Sequence, residues 1–205
     1  MDIILHNVKP DYMSESEVAG SDIYLQPTVV FEQGRGYMVC AKSGHGKTSL
    51  LNFIYGINSH YDGEILFSPV SKGPRTGFLS YVFQDLCLFP ELTAMENVLL
   101  KNNLTGFKSH GEIERMFDAL LLSEKKDTVL RKLSLGQRQR VAVMRALCQP
   151  FAFILLDEPF SHIDRQTAEI AANLISEEAK SQKAGIIVTA LDTTDLFDFD
   201  ISLQL

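Results

Sequence analysis

A glycine-rich segment at positions 41–48 holds the most specific chemistry in the chain, with the residues Ala-Lys-Ser-Gly-His-Gly-Lys-Thr. Gly44 and Gly46 let the backbone bend without Cβ clashes, so that successive N–H groups can surround a phosphate. Lys47 can reach the β and γ phosphates of a nucleotide, and the Thr48 hydroxyl can bind Mg²⁺. The alternative is an ordinary glycine turn before a helix. We predict a phosphate-binding loop, formed by Ser43, Gly44, His45, Gly46, Lys47, Thr48 and Ser49.

Two adjacent carboxylates, Asp157 and Glu158, follow an apolar run at positions 153–156. In open α/β sheets, ligands bind beyond the carboxyl ends of the strands. Asp157 is suited to hold Mg²⁺ through water, and Glu158 is suited to polarise an attacking water as general base. Taken alone, such a pair is usually a solvated strand end. Together with the phosphate-binding loop, it predicts a nucleotide site.

A third polar group begins a helix predicted to run to about position 149. Ser134 is followed three residues later by Gln137, which is the spacing of a capping box that satisfies unpaired N–H groups at a helix start. The arginines further along this helix are expected on a solvated face. On residue types alone, capping explains this segment without any ligand.

The elements that must position these residues alternate between strand and helix patterns. Short β-type runs lie at 3–8, 22–31, 37–40, 153–156, 185–190 and 201–205. Helical patterns lie at 48–57, 111–122 and 164–180, and Thr93 with Glu96 predicts another capped helix start. The pattern becomes helical between Gln84 and Pro150, which predicts a helical insert within an α/β domain.

Composition limits the classes of protein that this chain can be. With 205 residues, 45% hydrophobic and 22% charged, the chain suits one folded α/β domain. A formal net charge of -7 works against binding a phosphate backbone, so nucleic acid is not an expected partner. No apolar run is long enough to cross a bilayer, and the first ten residues lack the pattern of a signal peptide. A membrane role is expected only through a partner.

The three cysteines are odd in number and far apart, without a CxxC spacing. This pattern predicts neither a disulfide framework nor a zinc site. Cys40, Cys87 and Cys148 are expected to be small buried hydrophobic residues in a reducing cytosol.

The motifs occur in the order seen in the ATP-binding cassette (ABC) family, and the chain resembles that family over nearly its whole length. The segment 133–147 resembles the signature LSGGQ-x-QRVAIARAL, and 80–85 resembles the Q-loop. The segment 88–98 resembles the stretch after the Q-loop in transporter cassettes, and Ser161-His162-Ile163-Asp164 resembles the D-loop SALD.

This resemblance implies ATP and Mg²⁺ as cofactors and assigns roles to individual residues. The implied catalytic residues are Glu158 and Gln84, and the implied metal ligands are Thr48, Gln84 and Asp157. Ser134, Gly136 and Gln137 would hold the phosphate of an ATP that is bound to a second subunit. Tyr12 lies where the family places an aromatic residue to stack on adenine.

The resemblance also implies an α/β fold, namely a RecA-like P-loop NTPase core with an antiparallel β subdomain and a helical subdomain. We expect a single nucleotide-binding domain over 1–205, with the core at about 1–85 and 150–205 and the helical subdomain at about 86–149. Two cassettes, identical or different, would pack head to tail and drive a transmembrane permease subunit. The expected location is cytoplasmic, on the inner face of the cell membrane, and the Asp-Glu-Pro-Phe-Ser stretch resembles importer cassettes.

Three positions depart from the family pattern. Ala41 replaces the first glycine of the phosphate-binding loop, and Leu135 replaces the first glycine of the signature. Ala190 stands where the family has the switch histidine, and none of the five histidines is near it in sequence. His45 is expected to face solvent, and His162 is expected to make an interface contact.

These departures leave alternatives open. The chain can be a slow ATP hydrolase or a weakly active cassette that pairs with a more regular one. It can also be a regulatory ABC protein without a transport role, although the long coiled coils or second phosphate loop of such relatives are absent from the sequence. A nucleotide-dependent kinase would share only the phosphate-binding loop, and would leave the signature and D-loop unexplained.

Overall fold

Two β-sheets and the helices around them form the chain in this computed structural model, which describes residues 1–69 and 75–205. The strands are β1 (Asp2–Pro10), β2 (Val29–Phe31), β3 (Gly36–Cys40), β4 (Tyr61–Ser68), β5 (Leu79–Val82), β6 (Phe153–Asp157), β7 (Gly185–Ala190) and β8 (Ile201–Gln204). The α-helices are α1 (Lys47–Tyr55), α2 (Ala94–Thr105), α3 (His110–Ala119), α4 (Leu135–Leu147) and α5 (Arg165–Gln182).

The larger sheet is parallel and has the strand order β5-β6-β7-β3-β8. Strand β6 is buried along its whole length, as expected of a central strand with helices on both faces. Because the strands are parallel, their carboxyl ends share one edge. That edge holds the loop after β3, Gln84 after β5, Asp157 at the end of β6 and Ala190 at the end of β7.

The smaller sheet is antiparallel, with the order β2-β1-β4, and its central strand pairs Ile3 with both Phe31 and Phe67. A parallel sheet, an antiparallel sheet and packed helices agree with the predicted α/β fold class. Strand β4 was not predicted, because its alternation is weak and Ile65 is its only buried residue.

The predicted strand at 22–31 was wrong over most of its length, since only Val29–Phe31 is a strand. The Ser21 hydroxyl accepts hydrogen bonds from the N–H groups of Ile23 and Tyr24, at 3.0 and 2.8 Å. Leu25 then adopts φ +59°. The apolar residues in this segment are therefore buried by a turn and not by a strand.

Helices α2, α3 and α4 lie between β5 and β6 in the chain, which confirms the predicted run of helices. Both predicted capping boxes are present, at Thr93 with Glu96 and at Ser134 with Gln137. A third capping box, Ser109 with Glu112, begins α3. The sequence did not predict it, because the apolar pattern of this helix begins at position 111, one residue after the helix starts.

The cysteine prediction was correct at two positions and wrong at the third. Cys40 and Cys148 are buried, whereas Cys87 is exposed in the turn after β5. Cys87 has φ +46°, and its thiol donates to Asp85 Oδ1 at 2.9 Å. A tight polar turn keeps this side chain out of the core.

Among the described residues, no helix is both long and apolar enough to cross a membrane.

Candidate nucleotide-binding site

The loop between β3 and α1 bends at two glycines with left-handed backbone angles. Gly44 has φ +83° and Gly46 has φ +86°, a conformation that glycine adopts without strain. A Cβ added to Gly46 would lie 2.8 Å from the Tyr24 hydroxyl oxygen. That hydroxyl donates to the Gly46 carbonyl at 2.8 Å. Position 46 therefore requires glycine for its backbone and for its space, and Tyr24 is a supporting residue that the sequence analysis missed.

The Lys47 side chain is folded back into this loop and is only 5% exposed. Its ammonium donates to the carbonyls of Ala41 and Lys42 at 2.7 and 3.2 Å. It also lies 3.3 Å from Glu158 Oε1. A buried cation held by two neutral carbonyls and one carboxylate can exchange these contacts for an anionic ligand that enters the loop.

Ala41 accommodates its departure from glycine without backbone strain, because it lies outside the left-handed region that favours glycine. The residue is buried, and its N–H donates to the Ala190 carbonyl at 3.2 Å. The methyl group is therefore part of the packed strand end, and the phosphate-binding loop begins after it.

Asp157 ends β6 almost completely buried, at 1% exposure. Burial raises the pKa of this carboxyl above its usual value, while the hydrogen bond from Thr189 acts in the opposite direction. Thr189 pairs with Asp157 across the sheet and donates to Oδ1 at 2.6 Å. Oδ2 is buried and has no hydrogen-bond partner among the described residues.

A buried carboxylate oxygen without a partner is a position that a cation or a water can fill. The Thr48 hydroxyl donates to Gln84 Oε1 at 3.3 Å, so the hydroxyl and the amide oxygen lie together beside the loop. Oxygen atoms of this kind are the ligands that Mg²⁺ prefers. The set Thr48, Gln84 and Asp157 therefore fits a magnesium ion chemically.

Glu158 stands directly after β6 in a strained backbone conformation, with φ +47°. Non-glycine residues in this region cost about 1 to 3 kcal/mol and cluster at functional sites. The strained turn places the carboxylate against Lys47 and not along the strand. This geometry aims Glu158 at the phosphate-binding loop.

A cleft of about 220 Å³ collects most of the predicted residues. It is lined by Tyr12, Ser43, Gly44, Gly46, Lys47, Thr48, Ser49, Gln84 and Glu158. The Tyr12 hydroxyl lies 2.5 Å from the Ser49 hydroxyl, and Tyr12 is 58% exposed at the edge of the cleft. His45 is exposed and is not part of this lining, as expected for a solvent-facing residue.

The predicted signature residues lie elsewhere, at the start of α4. The Ser134 hydroxyl accepts from the Gln137 N–H at 3.2 Å, and the Gln137 amide oxygen accepts from the Ser134 N–H at 2.9 Å. A Cβ on Gly136 would lie 2.7 Å from the His162 carbonyl oxygen, so that glycine permits close contact with the segment after β6. Ser134, Gly136 and Gln137 are not part of the cleft lining within the described chain.

Leu135 occupies the first turn of α4 and is 37% exposed. Its side chain therefore lies on the surface beside the Ser134 cap. Any partner that approaches this helix start must also contact an isobutyl group.

Comparisons with known proteins agree with these motifs. The family model described as ABC transporter matches residues 26–161. The chain is 35% identical to the lipoprotein-releasing system ATP-binding protein LolD of Saccharophagus degradans, over 77% of this chain and 75% of that protein. It is 31% identical to the glucose import ATP-binding protein GlcV of Saccharolobus solfataricus, over 95% of this chain and 57% of that protein. A solved structure, a putative ABC transporter ATP-binding protein of Pyrococcus furiosus, has the same fold, with a TM-score of 0.78 at 21% identity, covering 100% of this chain and 98% of that one.

Proposed function

Because the chain belongs to the ABC transporter family, we propose that it is an ATP-binding and ATP-hydrolysing subunit that couples dimer closure to a membrane permease. The observation that carries this proposal is the cleft in which a buried lysine, a threonine hydroxyl and a strained glutamate meet beside an unpaired aspartate oxygen. ATP hydrolysis is the activity of this family. The cleft and the neighbouring Asp157 have the groups that can bind phosphates, hold Mg²⁺ and accept a proton from an attacking water.

Lys47 binds the β and γ phosphates, while the N–H groups of the loop and the start of α1 surround them. Thr48, Gln84 and Asp157 would hold Mg²⁺, which would neutralise charge on the phosphate oxygens. As the ammonium turns to the phosphates, it releases the Glu158 carboxylate, 3.3 Å away, to accept the proton of the attacking water. Tyr12 stacks on the adenine ring.

The site is completed by a second cassette, which presents Ser134, Gly136 and Gln137 to the γ-phosphate. The Ser134 side chain caps only the Gln137 N–H, so the N–H groups of Leu135 and Gly136, with the partial positive charge of the helix start, suit a phosphate. Closure is then driven by the two shared nucleotides, and hydrolysis reverses it. The second subunit is a copy of this chain or a related cassette.

The permease contact lies in a groove of about 230 Å³ between the end of α1, α2 and α4. Its lining includes the apolar residues Tyr55, Phe83, Leu100 and Leu104. Leu104 is 84% exposed and lies one helical turn after the exposed Leu100, so the two leucines form an apolar patch in the groove. The relatives named above belong by their descriptions to a lipoprotein-releasing system and to glucose import. By analogy we place this subunit in the cytoplasm, on the inner face of the membrane.

Leu104→Asp is expected to reduce the fraction of the protein that sediments with native membranes by at least about tenfold. The substitution removes apolar area from the contact and places a charged carboxylate there, and burying that charge costs free energy. Leu121→Asp is the matched control, because Leu121 is also exposed and lies outside the groove. Both variants should keep the wild-type melting temperature. Equal membrane binding of the two variants would contradict this docking site.

Ala190→His is expected to raise ATP turnover by about tenfold or more, because one preorganised polar group at a transition state contributes about 10² to 10³ in rate. Wild type should bind ATP normally and hydrolyse it slowly. The comparison measures ATP affinity and steady-state turnover for wild type and Ala190→His, each with and without Leu135→Gly. Wild-type turnover of several per second, unchanged in every variant, would contradict a degenerate site.

A further inference from the structure

The imidazole of His162 is held in one orientation by a short chain of hydrogen bonds. Gln139 Nε2 lies 3.2 Å from the Ser161 hydroxyl oxygen, which in turn lies 2.8 Å from His162 Nδ1. An amide nitrogen can only donate, so the Ser161 hydroxyl accepts from Gln139 and has its own proton to donate to Nδ1. Because Nδ1 accepts this bond, the single N–H proton of the neutral ring is on Nε2. That N–H has no partner among the described residues, and the side chain is exposed.

The same segment is tightly fixed to the start of α4. The His162 carbonyl oxygen is 2.7 Å from the place of a Gly136 Cβ, and Ile163 Cγ1 is 3.6 Å from it. Gly136 lies two residues after the Ser134 cap. The surface that offers this cap to a second subunit therefore also offers His162.

At the end of β7, this chain has Ala190 where the family has an imidazole. Ala190 pairs with Cys40, the last residue of β3, and its carbonyl accepts from the Ala41 N–H. Its methyl group borders a largely apolar hollow of about 250 Å³ that Glu158 also lines. Ser161, Thr189 and Thr194 bring hydroxyls to this hollow, but no imidazole lines it within the described part of the chain. The position beside Glu158 therefore has space for an imidazole.

We propose that His162 is a catalytic residue that acts in trans, with its Nε2–H donating to the γ-phosphate held by the partner subunit, beside that subunit's residue 190. This inference rests on the head-to-tail dimer of the proposed function. One subunit thereby supplies both the helix cap and an imidazole to the nucleotide of the other. No bond to His162 forms, and the N–H stabilises charge on the phosphate oxygens as water attacks. Because the donor lies on an exposed loop, it is less preorganised than a histidine at position 190.

His162→Ala should lower turnover by about tenfold or more, with ATP affinity changed less than about twofold. His110→Ala, which removes another exposed histidine, should leave both unchanged. The same His162→Ala substitution should have almost no effect in the Ala190→His background, because the imidazole at position 190 then donates to the γ-phosphate in place of His162. An equal loss in both backgrounds would show a structural role and overturn the proposal.

Mixed dimers separate action in trans from action within one subunit. His162→Ala protein has an intact Glu158, and Glu158→Gln protein has an intact His162, so each heterodimer restores one complete site only if His162 acts across the interface. When the two proteins assort randomly before ATP is added, half of the dimers are mixed and each has one complete site, so the initial rate of ATP hydrolysis should recover to about one quarter of the wild-type rate. Mixing His162→Ala protein with the Glu158→Gln, His162→Ala double variant is the control and should recover none.

The outcomes distinguish a failure of the proposed role of His162 from a failure of the proposed ATP hydrolysis. Absence of recovery in the first mixture, with an active wild type, overturns the role of His162 and leaves the ATPase assignment standing. Absence of turnover in wild type and in Ala190→His alike overturns the proposed hydrolysis, and the inference with it.

Discussion

Lys47→Ala is expected to weaken Mg-ATP binding by at least about 10²-fold, because it removes the one side-chain cation buried in the described part of the phosphate-binding loop. Charge-assisted contacts to phosphate contribute about 1.5 to 3 kcal/mol each, and about 1.4 kcal/mol corresponds to a tenfold change. Isothermal titration calorimetry with Mg-ATP measures the effect directly.

The substitution also removes the partner of Glu158 and of two loop carbonyls, so it can disturb the loop as well as the charge. Lys47→Met separates these effects, since it keeps the aliphatic stem without the ammonium. Lys42→Ala is the matched control, because Lys42 is an exposed lysine of the same loop. Unchanged affinity in both Lys47 variants would contradict the phosphate-loop assignment.

The parts of the fold that sequence alone predicted are those with strong local signals. Buried runs such as that of β6 predicted central strands, and the boxes at Thr93 and Ser134 predicted where α2 and α4 begin. In these segments, local preference and tertiary packing agree. The segment at 22–31 was wrongly predicted to be a strand, because the Ser21 hydroxyl accepts hydrogen bonds that form a turn among these apolar residues. Hydrophobic periodicity does not reveal such a side-chain contact.

For the cleft, residue types predicted the ligand-facing groups and did not predict their supports. Tyr24 is far from the phosphate-binding loop in sequence, yet it fixes Gly46. Thr189 is a supporting residue of the same kind, because it meets Asp157 only through the register of β6 and β7. Such contacts depend on strand order, which a single sequence leaves open.

Glu158→Gln is expected to keep ATP binding and lower turnover by about 10³-fold, since the amide cannot accept a proton from the attacking water. The exchange preserves shape, and the amide oxygen can still face the Lys47 ammonium in the absence of nucleotide. The left-handed backbone at position 158 is no harder for glutamine than for glutamate. Binding and hydrolysis should therefore separate in this variant.

The trapped nucleotide should make the Glu158→Gln protein accumulate as an ATP-dependent dimer, with twice the 22.9 kDa mass of one chain by light scattering. Glu169→Gln is the control, because it alters only an exposed ion pair on α5 that solvent screens. A monomer with ATP would indicate that closure needs the permease or that Leu135 obstructs the shared site. Adding Leu135→Gly decides between these, since it restores the dimer only if the isobutyl group is the obstacle. Wild-type turnover in Glu158→Gln would instead contradict the general-base role.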